Sequence, residues 1–314
     1  MSLLKLWLGL VGSLLATLLA VACAGQSAMP TPSPIAQALP MSVIIASSDL
    51  AVGQNRFAFA LVDSQQSRLV ENAQVEVTFL KFQGDTGVVK ETHRPTYYAI
   101  TIETPHQHPD GTLHIHQEAR GVYVVSSVNL DSPGLWGVLV RQPGMPEDQA
   151  LAAGSFQVSQ ASSTPALGAT VPGSHNKTVS DVATLDEIST AEAPDLAFYR
   201  TSIAQALEAH RPIVVVFSTP AFCQTRLCGP VLEMVAKLAP SYADRVEFIH
   251  IEPYDLKPLR EQGVFQSAQV SREWGLPSEP WVFVVDSQGR LSAKFDGIFG
   301  LEELQQAVEK VAGS

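Results

Sequence analysis

Positive charge is scarce in this chain: 20 Lys and Arg stand against 31 Asp and Glu, a formal net charge of −11 over 314 residues. With no basic run, the sequence argues against nucleic acid as a partner and against electrostatic binding to anionic lipid. It also holds no Gly-rich phosphate loop and no Ser/His/Asp pattern that can be assembled from sequence, so the usual signatures of nucleotide chemistry and serine hydrolysis are missing. Cysteine is sparse as well. There are three, Cys23, Cys223 and Cys228, an odd count that leaves a loose thiol in an oxidising compartment unless one is otherwise used.

What is present begins with an apolar run. Residues 1–22 carry one Lys, the stretch LWLGLVGSLLATLLAVA and small residues before Cys23, the pattern of an export signal. A spanning helix needs about 20 apolar residues, so the run is just long enough for an uncleaved anchor, but its small-residue end favours cleavage. The stretch LAVAC resembles the bacterial lipobox, with Ala20 where that motif usually has Leu. The resemblance implies that Cys23 is acylated, as by palmitate, and becomes the mature N-terminus. Lipid at Cys23 would then carry the membrane association, outside the cytoplasm. It would also leave Cys223 and Cys228, five positions apart, free to form one local disulfide.

About 290 residues remain, a length that suggests two domains, and 46% hydrophobic content is enough for real cores. Two stretches read as linkers. Residues 23–40 hold the Cys expected to carry lipid and a Pro/Ser/Ala-rich stalk, and 160–183, which opens with QASSTPALGATVPGSHNKTVSD, is again small and polar. Between them, over 41–159, short runs alternate apolar and polar residues: SVIIA, RFAFALVD, AQVEVTFLKF, YYAITIET, TLHIHQ, GVYVVSSVNL and LWGVLVRQ. Turn residues separate these runs, and no convincing helix interrupts them, which predicts an antiparallel sandwich of immunoglobulin-like architecture. The closing GVYVV…PGLWGVLV is similar to the last two strands of small Ig-like modules in exported bacterial proteins, a shape that says little about activity.

Five of the eight His lie between His93 and His116. A three-residue loop at Pro109, Asp110 and Gly111 would set His106 opposite His114 and bring His108 and His116 to the same face. Such a cluster can bind copper or zinc through neutral imidazoles. It can equally be a solvated strand face or a surface packed against the neighbouring domain.

Over 184–314 helical and strand patterns alternate instead. A helical pattern near Tyr199 to His210 precedes the all-apolar strand IVVVF. A Cys loop, the helix PVLEMVAKLA and a second buried strand, VEFIHIE, follow, which implies a parallel crossover. After an irregular stretch and a short helix near 268–274 come WVFVVD, a turn at 287–289, RLSAKFDG and the amphipathic helix LEELQQAVEKV. On that helix Leu301, Leu304, Val308 and Val311 form an apolar stripe. Trp274 and Trp281 read as core, and His250 as a satisfied residue of a buried strand.

This element order, with FSTPAFCQTRLCGPV after the first central strand and EPWVFVVDSQG before the terminal hairpin and helix, resembles the thioredoxin fold over about 120 residues. The chain as a whole thus reads as mixed, an all-β sandwich followed by an α/β domain. The resemblance implies a cis-proline at Pro280, an attacking Cys223, a resolving Cys228, and exchange with thiols and disulfides of exported proteins. The chain departs from the family in three ways. Four residues separate the cysteines in place of two, Phe222 replaces the Trp before the first Cys, and IVVVF carries no acid.

Geometry constrains the pair further. Five residues within one helix would hold the Cα atoms about 8 Å apart, too far for a disulfide, so at least one Cys lies outside the helix. Pro230 suggests a helix start that leaves both in the preceding loop. Glu279, just before Pro280, could face the sulfurs and would raise a thiol pKa there. Three uses of the pair stay open: redox exchange without any required cofactor, a permanent bridge in a binding or scaffold protein, and copper handling together with the histidines. Copper-delivery proteins on the thioredoxin fold also use a widely spaced Cys pair.

Overall fold

The computed structural model describes residues 39–107, 113–146 and 148–313, and between 101 and 120 the description is of the backbone alone. Cys23 and the expected stalk up to residue 38 lie outside it, as do His108 and the loop at 109–111. Among the described residues no helix is long and apolar enough to cross a membrane.

Residues 41–158 form two antiparallel sheets. One runs β1 (Met41–Ile45), β2 (Gly53–Asp63), β7 (Leu113–Leu130) and β6 (Thr96–Gln107), with the short β3 (Arg68–Leu69) also on β2. The other runs β5 (Thr86–His93), β4 (Glu76–Gln83), β8 (Gly134–Arg141) and β9 (Ala152–Val158). Strand alternation sends Phe57, Phe59 and Leu61 of β2 inward to meet Val77 and Phe79 of β4 and Trp136, Val138 and Val140 of β8 in one core. The rings of Phe57 and Phe79 meet edge-on at 5.0 Å. Each such side chain contributes about 1.5–3 kcal/mol by leaving water.

Residues 213–296 build a four-stranded sheet in the order β11 (Glu247–Ile251), β10 (Ile213–Phe217), β12 (Trp281–Val285), β13 (Leu291–Asp296). β10 pairs parallel with β11 and antiparallel with β12. Every residue of β10 and β12 is buried because both faces are covered. On one side Val214, Val216, Val282 and Val284 meet Val231 and Val235 of α2 (Cys228–Leu238) and Leu304 and Val308 of α5 (Leu301–Ala312). On the other, Val215, Phe217 and Phe283 meet Ile203 and Trp274, which follows the short helices α3 (Leu256–Gln262) and α4 (Gln269–Glu273) between β11 and β12.

Several elements differ from the sequence expectation. LHIHQ and GVYVVSSVNL are one 18-residue strand, since Glu118-Ala119-Arg120 between them stays extended in β7. GVVKETH (β5) and AAGSFQV (β9) are strands whose exposed or small residues mask the alternation. The helix near Tyr199 to His210 splits into a 3-10 turn (Leu196–Tyr199) and α1 (Ile203–Glu208). Ser202 causes the split: its hydroxyl accepts the Gln205 N–H, and the Gln205 side chain returns to the Ser202 N–H, a capping box that starts a new helix. Leu301 is not part of the buried stripe of α5; it is 39% exposed at the helix start.

The stretch read as a second linker is docked along the α/β unit. Thr170 bridges Arg290, the N–H groups of Gly168 and Val171 donate to Leu291 and Gly289, and Val171 enters the core beside Trp274. Its residues are small because the segment lies flat against the β12–β13 hairpin, and composition alone does not distinguish that from a free tether.

The sandwich and the α/β unit are joined by polar and apolar contacts. The Arg56 guanidinium on β2 donates to both carboxylate oxygens of Glu303 on α5, at 2.6 and 2.9 Å, and to the Ile298 carbonyl at 3.1 Å. Lys294 of β13 reaches Asp49 at 3.2 Å, and Ser162 and Thr164 also bond to that carboxylate. These donors offset the cost of burial and hold the Asp49 carboxyl down at about 2. On the outer face of β2, β6 and β7, the cluster of Ala58, Ile100, Val122 and Val124 packs against Ile298, Leu227 and Met234 of the α/β unit. Gly300 belongs to this seam, since a Cβ there would sit 2.3 Å from the Tyr98 ring.

Candidate redox site

The chain leaves β10 through Ser218 and Thr219, both fully buried, and turns at Phe222, whose N–H donates to the Thr219 carbonyl at 3.2 Å. Cys223 follows, partly exposed. The loop then runs to Arg226, which adopts a left-handed φ of 61°, and α2 begins at Cys228. The sequence expectation placed both cysteines ahead of the helix. Instead Cys228 is the first residue of α2, and Pro230 sits in the first turn, where its missing N–H costs no helical bond.

Cys223 and Cys228 are joined as a disulfide, with Cα atoms 5.9 Å apart. The sulfurs differ in setting: Cys228 is fully buried, while Cys223 keeps access to solvent. The Cys228 N–H donates to the Cys223 sulfur at 3.2 Å. The Thr225 hydroxyl lies 3.3 Å from the same sulfur and is the donor, since a disulfide sulfur has no proton to give. Both donors, and the positive end of α2, stabilise negative charge at Cys223 once the bridge opens.

Glu279 approaches from the opposite side. Its peptide bond to Pro280 is cis, and one carboxylate oxygen lies within 4.8 Å of both sulfurs, which are themselves within that distance of each other. The Tyr254 hydroxyl donates to Glu279 at 2.5 Å. Burial raises the Glu279 carboxyl above the usual range, against the Tyr254 hydrogen bond that lowers it. The Tyr254 phenol is raised too, by burial and then by its bond to Glu279. Tyr254 was not legible as a site residue, because it reaches the site only through the fold.

His250, in β11, is a core residue. Its Nε2 donates to the Ser218 carbonyl at 3.0 Å, which leaves Nδ1 to accept the Tyr199 hydroxyl at 2.7 Å. Desolvation pushes it down to about 4. Glu252, just past the end of β11, accepts the Thr190 N–H at 2.6 Å and is pushed up to about 6 by burial. Among the described residues are cavities of about 280 and 940 Å³, the larger one reaching Tyr254. The first lies between Arg56, Trp281 and Lys294, the second beside Glu252 and Arg260, and neither is lined by a cysteine.

Of the other candidate residues, the β6–β7 register sets His106 opposite His114 and Thr104 opposite His116, so these three His share one face of the ladder. The structure thus brings together Cys223, Cys228 and the turn at Pro280. Cys23 and His108 lie outside the described residues.

No protein-family profile matches the chain, and no curated protein matches it. Among solved structures it is similar to a thiol:disulfide interchange protein, a thioredoxin family protein, from Chlorobium tepidum TLS. The identity is 18% over 47% of this chain and 99% of that one, with a TM-score of 0.29.

Proposed function

We propose that this is an extracytoplasmic thiol–disulfide exchange protein, tethered to the membrane by lipid on Cys23, in which an Ig-like sandwich carries a thioredoxin-like domain. The observation that supports it most is an unequal disulfide at a helix start: a buried Cys228 and an accessible Cys223 whose sulfur already accepts the Cys228 N–H.

In the oxidising direction a partner thiolate attacks the Cys223 sulfur. The S–S bond breaks, its electron pair leaves with Cys228, and a mixed disulfide forms between Cys223 and the partner. The partner's second thiolate then attacks its own sulfur in that mixed disulfide. Cys223 is released, and two electrons have moved from the partner to the pair. In reduction the same steps run backwards, and the partner's potential sets the direction. The exported thiols and disulfides served in this way need no cofactor.

The reduction potential of the pair is the test. An exchanger sits at about −120 to −270 mV, and a value below about −300 mV would make the bridge a structural brace of a binding or scaffold protein. Copper handling remains a second reading on the shared face of His106, His114 and His116. Copper uptake that is equal in wild type and in a variant with His106, His108, His114 and His116 all changed to Ala would end it.

A further inference from the structure

When the Cys223–Cys228 bridge is reduced, the site faces an electrostatic problem. Two thiols that ionise beside the Glu279 carboxylate place as many as three negative charges on atoms that lie within 4.8 Å of one another in the oxidised form. Like charges this close disfavour each other strongly, and burial of Cys228 and half-burial of Glu279 worsen the penalty. A proton on each group relieves it. So does a single dication placed between them.

We propose that the reduced pair and Glu279 form a zinc site, so that zinc holds this protein in its dithiol state. The donor set, two thiolates and one carboxylate, is one that tetrahedral Zn²⁺ accepts, with the fourth position left to water. Bonds of about 2.3 Å to sulfur and 2.1 Å to oxygen put tetrahedral ligands roughly 3.6–3.8 Å apart. The three ligand atoms here already lie within 4.8 Å of one another, so the cradle is nearly the right size. The Cα separation of 5.9 Å does not have to change, because opening the bridge lets the Cys223 side chain turn while Cys228 stays fixed in α2. Tyr254, donating to Glu279 at 2.5 Å, orients the carboxylate in the way that outer hydrogen bonds orient metal ligands. Partial exposure of Cys223 and Glu279 gives the ion a way in.

The steps balance. An external dithiol reduces the bridge and becomes a disulfide; the two thiols then bind Zn²⁺ and release two protons. The bound pair can no longer attack a disulfide. Zinc therefore inhibits exchange and raises the potential of the pair by about 30 mV for each tenfold increase in free zinc above the dissociation constant.

The inference goes beyond the exchange reading and shares with it only the two sulfurs. The test uses the full chain in detergent, reduced with excess dithiol, desalted without oxygen, and titrated with Zn²⁺ against a chromophoric chelator. One Zn²⁺ per reduced chain is expected, with less than a tenth of that in the disulfide form. Glu279→Gln should weaken binding at least tenfold, and Glu279→His, which restores a ligand, should recover most of it. Co²⁺ in place of zinc should show thiolate-to-metal charge transfer in wild type and Glu279→His. Equal affinity in wild type and Glu279→Gln overturns the proposal, as does equal uptake in the disulfide form, which points instead to the histidine ladder. The potential measured in chelator tests exchange separately: a pair as reducing as a structural bridge sinks that reading and leaves the zinc result standing.

Discussion

Opening the Cys223–Cys228 bridge should cost this fold little. The bridge closes a loop of six residues, from a sequence separation of 5. By the chain-entropy relation, cross-linking so short a segment removes about 7 cal/mol/K from the unfolded ensemble, or about 2 kcal/mol at 25 °C. The loop's anchors do not depend on the bridge: Ser218 and Thr219 are buried at the end of β10, and Val231 and Val235 fix α2 against the sheet. The assay is equilibrium unfolding in urea of oxidised chain, of chain held reduced in dithiol and chelator, and of the Cys223→Ser/Cys228→Ala variant. With a slope of about 2 kcal/mol/M, the reduced midpoint should fall by about 1 M, still in one cooperative transition. A loss above about 5 kcal/mol, or reduced chain that no longer unfolds cooperatively, would refute the reasoning and make the disulfide a brace. An exchanger must stay folded in both redox states, so this measurement bears directly on function.

The Arg56–Glu303 pair, whose side chains are 12% and 11% exposed, should show a coupling of about 1–3 kcal/mol in a double-mutant cycle of Arg56→Met and Glu303→Gln. Coupling near zero would mean that apolar contacts alone join the two parts. Two buried groups act oppositely on stability as pH changes. His250 is depressed from 6.5 to about 4, so its contribution is full above 6.5 and is lost as pH falls toward 4, at about 1.4 kcal/mol per unit. Glu252 is raised from 4.5 to about 6, so its contribution is full below 4.5 and is lost as pH rises through 6. Their slopes cancel between about 4.5 and 6, and Glu252→Gln should uncover the His250 slope across that window in urea titrations at stepped pH. A Glu252→Gln profile as flat as wild type would contradict the assignment.

The central strands were the legible part of the fold. IVVVF and WVFVV announce themselves because a strand covered on both faces has no polar position, and RFAFALVD does so by alternating. GVVKETH and AAGSFQV did not, since an outer strand with six of eight residues exposed and a strand of small residues carry little periodic signal. Glu118-Ala119-Arg120 hid the continuity of β7. The start of α2 was misplaced because Pro230 marks the first turn without saying which residue of it comes first. At the site, the cysteines, Glu279 and Pro280 could be named from sequence, whereas Tyr254 and Thr225 could not. Tyr254 meets Glu279 only because β11 and β12 flank β10, a relation between strands that no local spacing encodes.

Leu227, the residue before Cys228, is wedged against Ala58, Ile100, Val122 and Val124 of the sandwich, with Met234 about two helical turns further along α2. The loop between the two cysteines is thus held on its Leu227 side by the sandwich, while Cys223 at its other end stays partly exposed. Cutting the chain between its halves would unpin that loop and strand an oily patch on each piece.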